Sequence, residues 1–326
     1  MESQEVFKSR IDLEKLEESS RKVMEQIGRV IIGQKTLTER MMIAIMANGH
    51  VLIEGVPGVA KTLAARLMAR CISSGFSRIQ FTPDLMPSDV LGTSVFNIGK
   101  SEFVFNRGPV FSNIILIDEI NRAPAKTQSA LFEVMQERQV TVDGTTYIMN
   151  EPFIVFATQN PIEHEGTYRL PEAQLDRFLF KINVGYPSLE EEQMILLSGH
   201  ERGGKKETEG VDPVLTGEEI KKYQEIVHGI IVDQNIVNYI ARIIDKTRRN
   251  SALFLGASPR ASLNLMVSCK ACAAVKGRDF VTPEDVQEMA YPVLCHRIQL
   301  TPEKEMEGSK PEDVIRAIIE STEVPR

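Results

Sequence analysis

Three short stretches carry residue types whose spacing could do chemistry. The first is Gly55-Val56-Pro57-Gly58-Val59-Ala60-Lys61-Thr62-Leu63, which follows the apolar run Val51 to Ile53. Backbone N–H groups of a glycine-containing turn, joined to the positive end of the helix that follows, can cradle phosphate oxygens. Gly55 and Gly58 let the backbone close on the anion without Cβ clashes. Lys61 is spaced to reach the β and γ phosphates, and Thr62 to ligate magnesium. Ala60 stands where such loops usually have glycine, so its Cβ must be accommodated. The same stretch also fits a plain strand-to-helix turn with an incidental Lys-Thr pair.

The second stretch, Asn113 to Glu119 (NIILIDE), is an apolar run ending in two acids. Asp118 can hold the metal, usually through water, and Glu119 can polarise a water toward the γ phosphate. Four apolar residues directly ahead of the acids argue against a solvated loop start. The third is Asn160, at the end of the apolar run Phe153 to Ala157, where an amide can bond the γ phosphate or the attacking water. Asn-Pro alone is a common turn, so this role depends on its neighbours.

These groups need a scaffold that brings the ends of several strands together. Val51–Ile53, Ile79–Phe81, Asn113–Glu119, Phe153–Ala157 and Phe178–Val184 read as strands. Continuous apolarity in the central ones means burial on both faces. The helices between them, after Lys61, around 83–91 and over 124–138, predict a parallel α/β sheet with its ligands at the carboxyl ends of the strands. Two hairpins interrupt the alternation, one turning at 99–101 and one at Asp143-Gly144. Residues 1–27 read as one amphipathic helix with Leu13, Leu16 and Val23 as its stripe. A second helix ends at Asn48-Gly49, with the glycine as its cap. Ser188 caps a helix, 199–213 reads as a loop or linker, and Thr216, Thr282, Thr301 and Ser309 start the helices beyond. The expected division is a helix over 1–29, an α/β core over 30–187, a linker over 188–215 and a helical domain over 216–326.

Composition narrows the classes. The chain has 326 residues, is 42% hydrophobic and 25% charged, and carries a net charge of −7. That length suits two domains, and the acidic balance disfavours nucleic acid as the main partner. No run approaches the ~20 apolar residues of a membrane span, and no secretion signal opens the chain, so a cytoplasmic protein without membrane insertion is expected. Cys269 and Cys272 form a C-x-x-C without a second pair to complete a zinc site. They read as small apolar residues in a helix, despite Cys295 beside His296.

Gly55–Thr62, Asp118-Glu-Ile-Asn-Arg-Ala-Pro-Ala-Lys-Thr-Gln128, Ala157-Thr-Gln-Asn-Pro161 and Leu170-Pro-Glu-Ala-Gln-Leu-Asp-Arg-Phe178 together resemble the MoxR family of AAA+ ATPases, from about Val30 to the carboxyl terminus. Ala60 before the lysine is usual in that family. The resemblance implies an AAA+ P-loop NTPase with a parallel-sheet core and a helical lid, using ATP and Mg2+. It implies Asn160 as the sensor 1 residue, Arg177 as the arginine finger offered to the next subunit, and Arg260 as the sensor 2 arginine on the lid. It places Ile32 and Gly33 near the adenine and makes the two hairpins family inserts. Arg122 and Arg169 remain alternatives for the finger. The implied protein assembles as a ring, a hexamer by resemblance, and remodels or matures a client, often one with a von Willebrand factor A domain. A nucleic-acid motor and a slow nucleotide-gated scaffold are the rival readings.

Overall fold

The computed structural model describes residues 12–99, 101–161, 168, 170–203 and 207–325. They fall into two compact units, Lys22–Lys221 and the chain up to Arg21 together with Lys222–Arg326. Along the chain come α1 (Glu14–Gly28), α2 (Lys35–Met46), β1 (Val51–Gly55), α3 (Lys61–Cys71), β2 (Ile72–Ser73), β3 (Phe76–Gln80), α4 (Pro87–Leu91), β4 (Gly92–Asn97) and β5 (Glu102–Arg107). Then follow β6 (Ile114–Asp118), α5 (Ala125–Glu137), β7 (Gln139–Val142), β8 (Thr145–Ile148), β9 (Ile154–Gln159), α6 (Glu172–Leu175), β10 (Phe180–Val184), α7 (Leu189–Arg202) and β11 (Leu215–Thr216).

Five strands form the sheet, in the order β10-β1-β9-β6-β3, and every pairing is parallel. Burial follows that order. All five residues of β6 are buried, whereas edge strand β3 buries only Ile79 and leaves Phe76, Arg78 and Gln80 exposed. Leu52, Ile115, Ile117, Val155 and Ala157 of the central strands pack with Leu131, Phe132 and Met135 of α5. Each large aliphatic removed from water there contributes about 1.5–3 kcal/mol, and this fixes the strand ends that carry the polar residues.

The two hairpins form as expected. β4 pairs with β5, and β7 pairs with β8 around Asp143 and Gly144, both at positive φ (50° and 77°) as a type I′ turn requires. Three boundaries here differ from the sequence reading, the first being the short helix expected from 83, which starts only at Pro87. The left-handed residue after α2 is Asn48 (φ 53°), and Gly49 instead makes room for Leu179, whose side chain would lie 2.3 Å from a Cβ at that position. The expected loop from 199 begins as helix, because α7 runs through Gly199 to Arg202 and only then turns left-handed at Gly203.

The helical unit contains α8 (Gly217–His228) from Lys222 onward, α9 (Gln234–Arg249), α10 (Pro259–Val275), α11 (Pro283–Leu294), α12 (Pro302–Met306), α13 (Pro311–Glu320) and the antiparallel pair β12 (Leu253–Leu255) and β13 (Gln299–Leu300). Thr282 and Thr301 cap their helices as read, while α13 is capped at Lys310, one residue beyond Ser309. Near the start of α1, the Ser19 hydroxyl lies 3.4 Å from that of Tyr223, and Leu13 and Leu16 are buried. Cys269 and Cys272 are buried in α10, and burial pushes the Cys272 thiol up to about 12, so it stays a protonated, apolar group. Arg278 pairs with buried Asp285 through two bonds, of 2.5 and 2.7 Å. Among the described residues no helix is long and apolar enough to cross a membrane.

His50, just ahead of β1, ties the sheet to α5. Its Nδ1 accepts the Val155 N–H at 3.1 Å, so Nε2 carries the proton and donates it to the Met135 carbonyl at 3.0 Å. Burial, and secondarily the Arg138 charge, lower its pKa from 6.5 to about 4. Between those values the unfolded chain takes up a proton that the folded one refuses, so stability falls as pH drops from 6.5 toward 4. The gap corresponds to at most about 3 kcal/mol. Urea unfolding across that window should show a steeper loss for the wild type than for His50→Gln, and equal slopes would contradict the assignment.

Candidate active site

The carboxyl ends of β1, β6 and β9 meet at a cleft of about 450 Å3. Pro57, Gly58, Ala60, Lys61, Thr62 and Leu63 form one wall, and Asp118, Glu119, Thr158 and Asn160 form the floor. The sequence-predicted phosphate loop, acid pair and amide are thus brought together. Gly58 (φ 88°) and Ala60 (φ 60°) are left-handed, and Ala60 is the residue from which α3 starts. Gly55 is packed against the backbone of β10, with the Val184 carbonyl 2.6 Å from where its Cβ would be. Its glycine is therefore demanded by strand packing as well as by the turn.

Lys61 reaches back over the loop. Its Nζ donates to the Gly55 carbonyl and to the Gln159 carbonyl (3.2 Å), which holds the ammonium at the mouth of the loop. Thr62 Oγ1 donates to Asp118 Oδ1 at 2.9 Å. A hydroxyl and a carboxylate in contact at the start of a helix are oxygen donors of the kind Mg2+ selects, so this pair fits the metal. Asp118 is buried and takes two further bonds, from Thr158 Oγ1 to Oδ1 (3.2 Å) and from Arg78 Nε to Oδ2 (2.7 Å).

Glu119 leaves the strand in a left-handed conformation (φ 59°, ψ 52°), with its N–H donated to Thr158 Oγ1 at 3.1 Å. Left-handed backbone at a non-glycine residue costs on the order of 1–3 kcal/mol and persists where its surroundings impose it. Here it turns the acid into the cleft. Its Oε2 accepts from Gln80 Nε2 (2.9 Å) and pairs with Arg122 Nε (3.0 Å), so the carboxylate is held toward the sheet edge. Asn160 is 7% exposed and faces the same space.

Other expected residues lie elsewhere. Ile32 and Gly33 do not line this cleft. Gly33 (φ 81°) sits against the Glu191 carboxylate at the start of α7, and Gln34 Nε2 donates to the Gly185 carbonyl at 3.4 Å. Val56 and Val59 support the loop without lining the cleft. Arg177 Nη1 donates to the Phe132 carbonyl of α5 at 2.8 Å, and its Nε is buried without a partner. Arg260 is exposed in the first turn of α10, in the helical unit. Arg169 lies outside the described residues, as does Lys100 of the first hairpin's turn.

Arg78, Gln80, Thr158 and Glu207 are the cleft residues that sequence reasoning missed. Arg78 and Gln80 are two apart on β3, hence on one face of that strand, and the register sets Gln80 beside Asp118. Polar residues at alternate positions of a strand were the available signal, but the strand order that makes β3 the neighbour of β6 is not written locally.

A glycine loop feeding a helix at the carboxyl edge of a parallel sheet, with an acid pair on a nearby strand, defines a P-loop NTPase of the AAA+ class. Residues 50–180 match the family model described as ATPase family associated with various cellular activities (AAA), and residues 245–318 match the AAA lid domain. Over 310 residues the chain is 48% identical to Chaperone MoxR1 of Mycobacterium tuberculosis, covering 92% of this chain and 81% of that one. It is 47% identical over 304 residues to YeaC of Bacillus subtilis, covering 93% and 94%. A proposed ATPase of known structure from Cytophaga hutchinsonii superimposes with a TM-score of 0.87 at 40% identity, covering 96% of this chain and 98% of that one. The chain belongs to the MoxR family of AAA+ ATPases.

Ala60 gives a direct test of the loop's strain. An alanine in the left-handed region costs about 1–2 kcal/mol, partly offset by the ~0.5–1 kcal/mol of chain entropy that a glycine loses on folding. Ala60→Gly should therefore raise thermal stability slightly, by up to about 1 kcal/mol. A loss of more than that on thermal unfolding would mean the methyl group is packed rather than tolerated.

Proposed function

We propose that this chain binds ATP with Mg2+, hydrolyses it, and uses the cycle for chaperone-like remodelling or maturation of a partner protein. The observation that carries the proposal is the convergence of Lys61, Thr62, Asp118, Glu119 and Asn160 on one cleft at the carboxyl edge of the sheet. Lys61 exchanges its carbonyl partners for the β and γ phosphate oxygens. Thr62 and Asp118 would hold the magnesium, which would compensate phosphate charge. Glu119 orients and polarises the attacking water once it turns from Gln80 and Arg122, and Asn160 offers its amide to that water or to the γ phosphate.

One protomer leaves part of the developing γ-phosphate charge uncompensated, and an arginine supplied in trans is worth about 10³ to 10⁵ in rate. We assign that role to Arg177 of a neighbouring copy in a ring, a hexamer by family resemblance. It would have to leave its carbonyl partner on α5 to reach out. Arg122 already serves Glu119 within its own chain, which makes it the weaker candidate. Arg260 is assigned to the lid's reading of the nucleotide, and Ile32 and Gly33 to the adenine end. The expected domain division, with 30–187 as the nucleotide-binding core and 216–326 as the lid, belongs to the same reading.

The relative named as a chaperone supports a protein client, and family resemblance favours one carrying a von Willebrand factor A domain. The β4–β5 hairpin has one lysine and one glutamate and, beyond its phenylalanines, lacks the aromatic-basic stacking platform of a nucleic-acid groove, which favours a protein client. A cytoplasmic location fits the composition.

Three variants test the assignment. Lys61→Ala should lose nucleotide binding by fluorescence titration. Glu119→Gln should keep that binding while turnover drops about 10²- to 10⁴-fold. Arg177→Ala should bind normally and hydrolyse about 10³-fold slower or worse. Turnover of Glu119→Gln at the wild-type rate would remove Glu119 from the mechanism.

A further inference from the structure

The Asp118 side chain is 6% exposed, yet it accepts bonds from three donors. Thr62 and Thr158 satisfy oxygen lone pairs but bring no charge. Arg78 brings it, with Nε 2.7 Å from Oδ2. A buried carboxylate without a counter-charge is strongly disfavoured, so this ion pair keeps the anion tolerable at the end of β6. The partners are unequal. Asp118 is fixed by strand and hydroxyls, whereas Arg78 stands on an edge strand with its side chain 46% exposed, in the wall of the cleft.

A guanidinium on Oδ2 and a divalent cation drawn to the same carboxylate repel each other across a few ångströms, so each weakens the other's hold on it. We propose that Arg78 is a resident counter-ion which the metal must displace. It holds Asp118 when no metal is bound, lowers the site's affinity for free metal, and yields to metal that arrives with a polyphosphate. The exchange is near balance only in the last case, because the freed guanidinium, in the wall of the cleft that Lys61 and Thr62 also line, finds phosphate oxygens as its new anion. Arg78 is a positioning residue here, and it couples metal binding to nucleotide binding. The inference rests on reading Asp118 as the metal-holding acid.

The test uses Mn2+ as the probe, with free metal measured by electron paramagnetic resonance on the full chain. Without nucleotide, Arg78→Gln should bind Mn2+ about fivefold more tightly than the wild type, the scale expected for a half-exposed ion pair. Arg78→Lys, which keeps the charge, should stay near the wild type. ADP should enhance Mn2+ affinity less in Arg78→Gln than in the wild type. Equal or weaker Mn2+ binding by Arg78→Gln would overturn the proposal and leave a plain ion pair between strands. Asp118→Asn separates the two claims: if it leaves Mn2+ binding intact, the reading of Asp118 itself fails. Should Arg78→Gln not fold, the Arg78 Nε–H resonance of the wild type, assigned by its loss in Arg78→Lys, gives a second readout. It must shift with Mg2+·ADP and stay put with ADP and EDTA. A resonance indifferent to Mg2+ would sink the idea.

Discussion

A carboxylate placed at the end of a fully buried strand must be compensated, and the cleft is arranged around that need. β6 buries Ile114 to Asp118 without a break. The same burial that fixes the strand would expel a bare charge from its end. Two hydroxyls and one guanidinium answer it. Each comes from a different part of the fold: Thr62 from the first turn of α3, Thr158 from β9 and Arg78 from β3. The phosphate loop, the amide strand and the sheet edge are thereby tied to one oxygen pair, and a change in what compensates Asp118 reaches all three.

Glu119 shows the same economy one residue later. Its left-handed backbone turns the second acid out of the strand direction, and Gln80 and Arg122 hold it to one side. An acid so tethered lines the cleft but is held toward the sheet edge. Arg177 is likewise occupied within its own chain, at the Phe132 carbonyl. The arrangement of a single chain therefore keeps both residues assigned to the hydrolytic step on internal partners.

Much of this could be read from residues alone, for local physical reasons. Continuous apolar runs marked the buried strands, Asp143-Gly144 marked its hairpin, and the loop from Gly55 to Thr62 could be placed at a strand-to-helix turn. What escaped depends on distance along the chain. Arg78 and Gln80 meet the acid pair through sheet order and register, which the segment Phe76–Gln80 does not encode. Glycine at 49 suggests a helix cap because it favours that conformation, but Asn48 adopts it and Leu179, 130 positions on, explains the glycine. Lys310 rather than Ser309 caps α13, with Pro311 setting the helix start. α7 ran past its expected end because Gly199 is tolerated inside a helix and Gly203 supplies the left-handed stop.

The central claim is that one chain grips the magnesium nucleotide and a neighbouring copy completes the charge compensation. Mixing two inactive proteins tests it most directly. Glu119→Gln retains the finger and Arg177→Ala retains the acid, so mixed rings contain sites that have both. Phosphate release should reappear on mixing and peak near equal proportions. A mixture no more active than its two components, under conditions where they co-assemble, would contradict a shared site.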